Sequence, residues 1–221
     1  VFTILLTQAQ TTTENYIRTR TFTKSDATTY IDQIQYFDGL GRPVQTVQRG
    51  IGPGTEKKDL VTYTEYDGVG RENIQWLPVP KAGNNGAYVD LAAFKTEAAN
   101  LYGSSEKPYS TIVYEPSPLN RVVEQFGAGK EWYDNINPKR NTIAYEANIS
   151  ADAVAFFYVD NNGNLKREGN YAAGSLYKTV AKDEDGKTVD EYKDKLGQVV
   201  LKRSKNGTEN VDTYFVNNDL G

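Results

Sequence analysis

The fold of this chain is decided by the stretch Tyr36-Phe37-Asp38-Gly39-Leu40-Gly41-Arg42-Pro43-Val44-Gln45-Thr46-Val47. Asp38 can take the first position of a type I turn, where its side chain accepts hydrogen bonds from backbone N–H groups. Gly41 stands where the chain needs a positive φ, which glycine adopts without strain. Tyr36 has the character to pack against Val44 or Val47 across the two arms. The stretch therefore predicts a β-hairpin with a tight turn at its tip.

The same turn returns along the chain. An aromatic residue, an aspartate, a short turn and a glycine recur in this order, and such recurrence predicts a repeat architecture. Asn120 replaces the glycine in a degenerate copy, and a partial copy begins at Asn218. The aspartate and glycine pairs of the other copies are Asp67 with Gly70, Asp160 with Gly163, Asp183 with Gly186, and Asp194 with Gly197.

Composition favours a β-protein and argues against some classes of function. The 221 residues include 16 Tyr, 8 Phe and 19 Gly, a mixture typical of sheets and turns rather than helices. The net charge is −4 and the pI is about 5.1. Nucleic-acid binding requires a basic face, so no nucleic-acid partner is expected.

Histidine, cysteine and methionine are absent from the sequence. Without His or Cys, the chain cannot use a Ser-His-Asp or Cys-His mechanism, or a thiolate metal site. We predict no catalytic residue, no metal site and no cofactor. The missing initiator Met and the end within a turn motif suggest a fragment, so we expect the protein to continue past Gly221 and to form its main contacts with the rest of its own chain.

Residues 1–10 form a short apolar run that ends in small and polar residues. The run is too short to span a membrane and resembles the second half of a secretory signal peptide. The alternative is a buried first strand. The signal-peptide interpretation predicts an exported protein that is extracellular or at the cell surface.

The rest of the chain divides into two predicted regions. Residues 11–108 form an N-terminal β region with one inserted helix, and residues 109–221 form a series of β-hairpins. Residues 74–80 form an apolar segment closed by prolines, which predicts a single strand.

The inserted helix is predicted near residues 90–102. Asp90 is a suitable N-cap, and Gly103 stands where a helix C-terminus commonly has glycine. A single apolar stripe follows from the helical spacing of Leu91, Phe94, Ala98 and Leu101.

From the first motif onward, the sequence resembles the N-terminal region of RHS/YD-repeat proteins of Bacteroidota-type bacteria. The resemblance rests on residues 36–47, on the preceding residues 14–17, on Tyr66-Asp67-Gly68-Val69-Gly70-Arg71-Glu72, and on Trp76-Leu77-Pro78. It covers most of the chain after residue 14 and is strongest over residues 14–80.

The resemblance implies a function outside catalysis. RHS/YD-repeat proteins build long strips of β-hairpins that wind into a shell, which encloses a C-terminal toxin or effector. This chain would be the start of such a strip in a large exported protein. Large exported proteins of Bacteroidota often use the type 9 secretion system, so outer-membrane secretion machinery is an expected partner. Departures at Asn120, Asn164 and Gln198 predict looser turns in those copies.

The sequence also allows two other functions. Trp76 and Trp132 are candidates for stacking on sugar rings, which would make the chain a cell-surface adhesin or a carbohydrate-binding β-domain. A glycoside hydrolase is a third hypothesis, because paired carboxylates need no histidine.

Two local motifs also allow alternative interpretations. Residues 160–164 place oxygen ligands at alternating positions, as calcium loops do, although they lack the closing glutamate of an EF-hand. Asn148-Ile149-Ser150 and Asn206-Gly207-Thr208 match the N-glycosylation sequon. The turn interpretation makes Asp38, Gly41, Asp67, Gly70, Asp160, Gly163, Asp194 and Gly197 structural residues.

Overall fold

The computed structural model describes residues 11–54, 57–134, 136, 139–207 and 209–217. The predicted signal remnant, residues 1–10, and the partial turn copy, residues 218–221, lie outside the described residues. The mainly β prediction is confirmed, since 46% of the protein is β-strand and the strand pairings are antiparallel. The chain forms two compact units, and the boundary falls after Ile112, with Gly127–Tyr133 belonging to the first unit.

The first unit is an antiparallel sheet in which most strands neighbour each other in chain order. The order is β1-β2-β3-β4-β5-β7, and β6 pairs with the first residues of β4. Its elements are β1 (Asn15–Phe22), β2 (Tyr30–Phe37), β3 (Pro43–Arg49), β4 (Asp59–Tyr66), β5 (Glu72–Trp76), β6 (Val79–Lys81), α1 (Leu91–Tyr102) and β7 (Tyr109–Tyr114), and a short 3₁₀ helix at Lys130–Tyr133.

The second unit repeats the antiparallel arrangement. Its strand order is β8-β9-β12-β13-β14-β15, and β10 pairs with β11 as a separate hairpin. Its elements are β8 (Val122–Phe126), β9 (Asn141–Ala147), a 3₁₀ turn at Ser150–Asp152, β10 (Ala155–Val159), β11 (Leu165–Asn170), β12 (Tyr177–Lys182), β13 (Thr188–Lys193), β14 (Val199–Asn206) and β15 (Glu209–Tyr214).

The predicted inserted helix is confirmed as α1. The side chain of Asp90 caps it by accepting hydrogen bonds from the N–H groups of Ala92 and Ala93. Phe94 and Ala98 are buried, but Leu101 is exposed, so the predicted stripe is wrong at that position. Tyr102, the next residue in the helix, packs against the core instead. Its hydroxyl donates a hydrogen bond to the carbonyl of Pro78.

The predicted single strand at residues 74–80 is wrong. The structure ends β5 at Trp76 and begins β6 at Val79, and the two strands pair with different residues of β4. Pro78 has no N–H to donate to a ladder, and the N–H of Leu77 donates to the carbonyl of Pro108. The chain therefore leaves the ladder at Leu77 and Pro78.

Side chains of the sheet hold the loop that leads into α1. Gln45 is buried, and its amide group exchanges two hydrogen bonds with the backbone of Val89. The hydroxyl of Tyr63 donates to the same carbonyl at 2.6 Å, and Tyr36 donates to Gly86 at 2.7 Å. These bonds satisfy backbone groups that would otherwise be buried without partners, and they place the loop and α1 over the core.

Each unit has its own hydrophobic core. The core of the first unit consists of Ile34, Tyr36, Val47, Val61, Tyr63, Val79, Val89, Phe94 and Ala98. The core of the second unit consists of Val154, Leu176, Tyr192, Val200 and Leu201.

Candidate functional site

The hairpin turn at Asp38 is held by a compact set of hydrogen bonds. The N–H of Asp38 donates to the carbonyl of Arg42 at 2.9 Å, and the N–H of Gly41 donates to the carbonyl of Asp38 at 3.0 Å. The Oδ1 atom of Asp38 accepts the N–H groups of Leu40 and Arg42, both at 2.9 Å. Gly41 has a φ of 76°. This is a type I turn closed by a glycine bulge, which suits the twist of the two strands.

Four further turns have the same geometry. In each, the aspartate Oδ1 accepts the N–H groups two and four residues on, at 2.8–3.0 Å. The glycine three residues on has a positive φ between 79° and 89°. The aspartates of these turns are Asp67, Asp160, Asp183 and Asp194.

The turn aspartates are committed to their own backbone. Hydrogen bonds from backbone N–H groups are the main cause that lowers the pKa of Asp38, Asp67 and Asp160. In the first two turns an arginine also donates Nε–H to Oδ2 at 2.8 Å. A carboxylate with its lone pairs occupied in this way is a cap, and it is poorly placed to transfer protons.

The expectation of looser turns at Asn164 and Gln198 is wrong. Asn164 N–H donates to Asp160 Oδ1 at 2.9 Å, and Gln198 N–H donates to Asp194 Oδ1 at 2.9 Å. These distances equal that in the Asp38 turn because the backbone N–H, which every non-proline residue carries, makes the contact. The arginine side chain adds to the turn without defining it.

The degenerate copy, residues 114–121, forms its turn with different residues. Ser117 takes the place of the aspartate: its Oγ accepts the N–H of Leu119 at 3.2 Å and its carbonyl accepts the N–H of Asn120 at 3.4 Å, so this turn is looser than the others. Arg121 donates Nε–H and Nη2–H to the two oxygens of Glu115 at 2.9 and 2.7 Å. This bidentate pair lowers the pKa of Glu115 to about 2. Asn120 adopts the positive φ of the missing glycine, at 54°, a conformation that asparagine tolerates better than most residues.

A second repeated feature joins neighbouring strands, and we call it the Arg–Tyr lock. In the first unit, the guanidinium of Arg42 lies 4.3 Å from the ring centre of Tyr66. The hydroxyl of Tyr66 donates to the carbonyl of Pro43, 23 residues earlier, at 2.8 Å. Arg42 follows the turn before β3, and Tyr66 ends β4, so the lock ties a turn to the next strand.

The second unit contains the same lock. Arg121 lies 4.4 Å from the ring centre of Tyr145, whose hydroxyl donates to the carbonyl of Val122 at 3.2 Å. The interval between hydroxyl and carbonyl is again 23 residues. Our sequence reasoning missed both locks, although an arginine after the turn and a tyrosine at this interval are the signal that would have found them.

The two candidate stacking residues both have partners. Trp76 donates Nε1–H to Glu65 Oε1 at 2.6 Å, and its ring centre lies 5.8 Å from that of Phe94 and 4.8 Å from that of Tyr109. Trp132 lies against Gly127 so closely that a Cβ there would be 2.4 Å from Cε2 of the indole. Both indoles are half-buried, and Trp76 also lines a surface pocket together with Lys95 and Tyr109.

The aspartates that cap the turns are engaged in contacts within their own turns. Across the described ranges, no group of three His, Cys, Asp or Glu residues could hold a metal ion. In the turn at residues 160–164, the candidate calcium loop, the Asp160 carboxylate accepts bonds from its own turn, and Lys166 lies 3.8 Å away.

The first sequon is not accessible in the folded chain. Asn148 is buried, and its side chain donates to the carbonyl of Ala172 and accepts the N–H of Leu176. Thr208 of the second sequon lies outside the described residues.

The second unit buries a cluster of paired charges. Arg203 donates to both oxygens of Asp212 at 2.7 and 2.8 Å and to the backbone carbonyl of Asp152 at 2.6 Å. Lys178 lies 2.9 Å from Asp152 Oδ1. The hydroxyl of Tyr192 is buried without a well-aligned hydrogen bond, and burial together with the charge of Asp152 raises its pKa. Removing one member would leave an uncompensated buried charge and destabilise the second unit.

The first unit has a polar cleft with two buried carboxylates, Asp32 and Asp59. Asp32 accepts two hydrogen bonds from Arg20, which together with Arg18 hold its pKa at about 2. Asp59 accepts the N–H groups of Gly50 and Gly86 at 2.9 and 2.6 Å. The general acid of a glycoside hydrolase needs a raised pKa, so Asp32 does not fit that role.

Comparison with known proteins identifies the family of this chain but not its function. The family described as "Domain of unknown function (DUF6443)" matches residues 9–147, which is more than half of the chain, and the chain belongs to this family. A search of curated proteins found no match. Within the described parts of the chain, no helix is long and apolar enough to cross a membrane.

Proposed function

We propose that this chain is a non-catalytic structural segment, the N-terminal part of a large exported RHS/YD-repeat protein whose β-shell encloses a C-terminal toxin or effector. The observation that carries the proposal is the turn geometry, which is the same at Asp38, Asp67, Asp160, Asp183 and Asp194. A turn that is repeated for its hydrogen bonds serves architecture, because catalytic residues are not copied at every hairpin.

The Arg–Tyr locks support the same role. In both units they join a turn to the next strand through an arginine and a tyrosine. In both, 23 residues separate the tyrosine hydroxyl from the carbonyl that accepts its hydrogen bond. Each lock combines a cation–π contact with a hydrogen bond to backbone, so it restrains neighbouring strands at their ends. A strip of hairpins that must keep its curvature over many strands benefits from such restraints.

The unpaired sheet edge is consistent with a continuing strip. β15 is the last strand in its sheet, and its outer edge has no strand partner in the part of the chain that the structure describes. An exposed edge is a template for a further strand. The proposal expects that strand to come from the same protein after Gly221.

The first test is the mass of the intact protein from its native source, together with sequencing of both ends. We expect a mass far above 24.7 kDa and further Tyr–Asp turns after Gly221. A mass near 24.7 kDa would contradict the proposal.

Enclosure is tested by limited proteolysis of the full-length protein and by electron microscopy. We expect a hollow particle and a C-terminal segment that resists protease until the protein is denatured. Arg42→Ala, which removes one lock, should make that segment easier to cleave, whereas Lys187→Ala, at an exposed turn residue, should not. Equal cleavage of the native and denatured C-terminal segment would contradict the shell.

Export through the type 9 system is a separate part of the proposal. We expect the protein to accumulate inside cells that lack the outer-membrane translocon and to co-purify with translocon components in cells that have it. Normal secretion in the deletion strain would rule out this route and leave the shell unaffected.

The absence of chemistry is also testable. We expect the chain to release no reducing ends from polysaccharides, including polygalacturonate and dextran. Turnover that disappears in Asp59→Asn while the variant remains folded would show a hydrolase and contradict a purely structural role.

A further inference from the structure

The cleft in the first unit is built from a row of charges that the strand register aligns. Arg20 of β1 is the cross-strand partner of Asp32 in β2, and Asp32 is the partner of Arg49 in β3. Cross-strand partners lie on the same face of a sheet. The register therefore places a cation, an anion and a second cation side by side.

The carboxylate of Asp32 forms its hydrogen bonds with arginines of β1. Its side chain is 1% exposed, and Arg20 donates Nε–H to Oδ1 at 2.7 Å and Nη2–H to Oδ2 at 2.9 Å. Arg18 donates a further hydrogen bond to Oδ2. All three of these donors come from β1.

The guanidinium of Arg49 forms no hydrogen bond to any described residue. Its Nη1 lies 4.0 Å from Asp32 Oδ2, which is an ion-pair distance and too long for a hydrogen bond. Asp59, the other carboxylate in the cleft, is satisfied by backbone N–H groups. A guanidinium carries five N–H donors in a planar fork that suits a carboxylate or sulfate group.

The cleft has room for such a group. Its volume is about 480 Å³, and Arg49 lines it together with the hydroxyl-bearing Thr28, Thr29 and Tyr30, and with Lys57. Lys57 forms no ion pair or hydrogen bond within the described ranges. Arg49 and Lys57 thus face the same polar space with unused donors.

The local charge is opposite to that of the whole chain. Among the described residues at the cleft, the four cations Arg18, Arg20, Arg49 and Lys57 outnumber the two carboxylates, whereas the chain as a whole has a net charge of −4. Because Arg18 and Arg20 already neutralise Asp32, and Asp59 accepts hydrogen bonds from backbone N–H groups, Arg49 and Lys57 are the charges left to attract an anion. The cations do not form a long stripe, which nucleic acid would need.

Two exposed aromatic rings stand beside the cleft. Phe22 and Tyr30 are 53% and 47% exposed, and their ring centres lie 6.2 Å apart in an edge-to-face arrangement. Arg20 lies 3.6 Å from the ring centre of Tyr30 and orients that ring. Exposed, oriented rings offer apolar faces for the C–H surface of a sugar.

We propose that this cleft binds an acidic polysaccharide, with Arg49 and Lys57 holding a carboxylate or sulfate group and Tyr30 contacting the adjoining sugar ring. The site is separate from Trp76 and Trp132, the residues that the sequence suggested for this role. The proposal does not depend on the shell function, since a structural segment at a cell surface can carry a binding site.

The test is the affinity of the purified chain for a panel of polymers, measured by calorimetry at low and high salt. We expect polygalacturonate or dextran sulfate to bind, unmodified dextran to bind weakly, and added salt to weaken the charged ligands. Binding of polygalacturonate alone would assign the group as a carboxylate, and binding of dextran sulfate alone would assign it as a sulfate.

Variants locate the site. Arg49→Gln should weaken the charged polysaccharide at least about tenfold, since a bidentate charge-assisted contact is lost. Arg167→Gln removes the same charge from β11 in the second unit and should leave affinity unchanged. Lys57→Gln changes an exposed side chain and provides a second variant if Arg49→Gln fails to fold.

Three results would overturn the proposal. These are the absence of binding to both charged polysaccharides, equal binding of polyglutamate or single-stranded DNA, and unchanged affinity in both Arg49→Gln and Lys57→Gln. Polyglutamate offers carboxylates without sugar rings, so it separates recognition of an acidic saccharide from simple attraction of charge.

Discussion

At the scale of single residues, the turn aspartates organise the hairpin tips. Each accepts two backbone N–H groups through one oxygen and so closes the turn locally. The sequence revealed these residues because the interaction spans only five positions. The turn at Asp183 shows that neither the arginine nor the aromatic lead-in is needed for the geometry.

We predict that Asp183→Ala lowers the free energy of unfolding by about 1–2 kcal/mol, as the loss of a capping side chain does elsewhere. Asp185 stands two residues on in the same turn and is exposed, so Asp185→Ala should change stability by less than about 0.5 kcal/mol. Urea unfolding of the two variants makes the comparison. Equal destabilisation would mean that the Asp183 carboxylate does not hold the turn.

The two glycines of the Asp38 turn have different roles. Gly41 has a φ of 76°, and a Cβ at Gly39 or at Gly41 would have nothing within 4 Å. We predict that Gly41→Ala costs about 1–2 kcal/mol from backbone strain alone, whereas Gly39→Ala is close to neutral. Thermal unfolding separates the two, and a tolerated Gly41→Ala would show that the turn can adopt another conformation.

At the scale of elements, the capping residues in the sequence predicted α1 well, but the sequence did not predict which strands pair with each other. Asp90 and Gly103 mark the helix ends through contacts within a few residues. The split between β5 and β6 was missed because it depends on which residues of β4 each segment pairs with. The cleft at Arg49 was missed for the same reason, since only the register brings Arg20, Asp32 and Arg49 into one row.

The helix should contribute to stability mainly through one ring. Phe94 is fully buried, with its ring centre 5.0 Å from that of Tyr63. We predict that Phe94→Ala destabilises the first unit by about 3–5 kcal/mol. Leu101→Ala, on the exposed part of the predicted stripe, should cost less than about 1 kcal/mol. Hydrogen exchange of α1 would check both, and similar effects would mean that α1 packs through its whole length.

At the scale of the whole molecule, the ionisable groups predict an unusual dependence on pH. The chain has no histidine, so no histidine titrates between pH 5 and 8. Asp32 and Glu115 have a pKa of about 2 in the folded state, below the value of about 4 for an unfolded carboxyl group. Such groups stabilise the fold above the unfolded value and lose this contribution as the pH falls toward 2.

We therefore predict a melting temperature that is flat from about pH 5 to 8 and falls below about pH 4. At the alkaline end, burial raises the pKa of Tyr63 and Tyr192, so stability should decline as the pH rises above about 10. Calorimetry from pH 3 to 11 tests the whole curve. A change in melting temperature near pH 6 would contradict this prediction, because the chain has no histidine to titrate there.

The local character of the turns also affects the order in which the chain can fold. All hydrogen bonds of the Asp38 turn lie within five residues, whereas the bonds that fix the loop before α1 span 26 to 50 residues. Short-range contacts close faster than long-range ones. A chain that emerges from a ribosome or a translocon with its N-terminus first can therefore complete each hairpin as it appears and add the covering loop and helix afterwards. Assembly in this order leaves few long unpaired strands exposed at any moment.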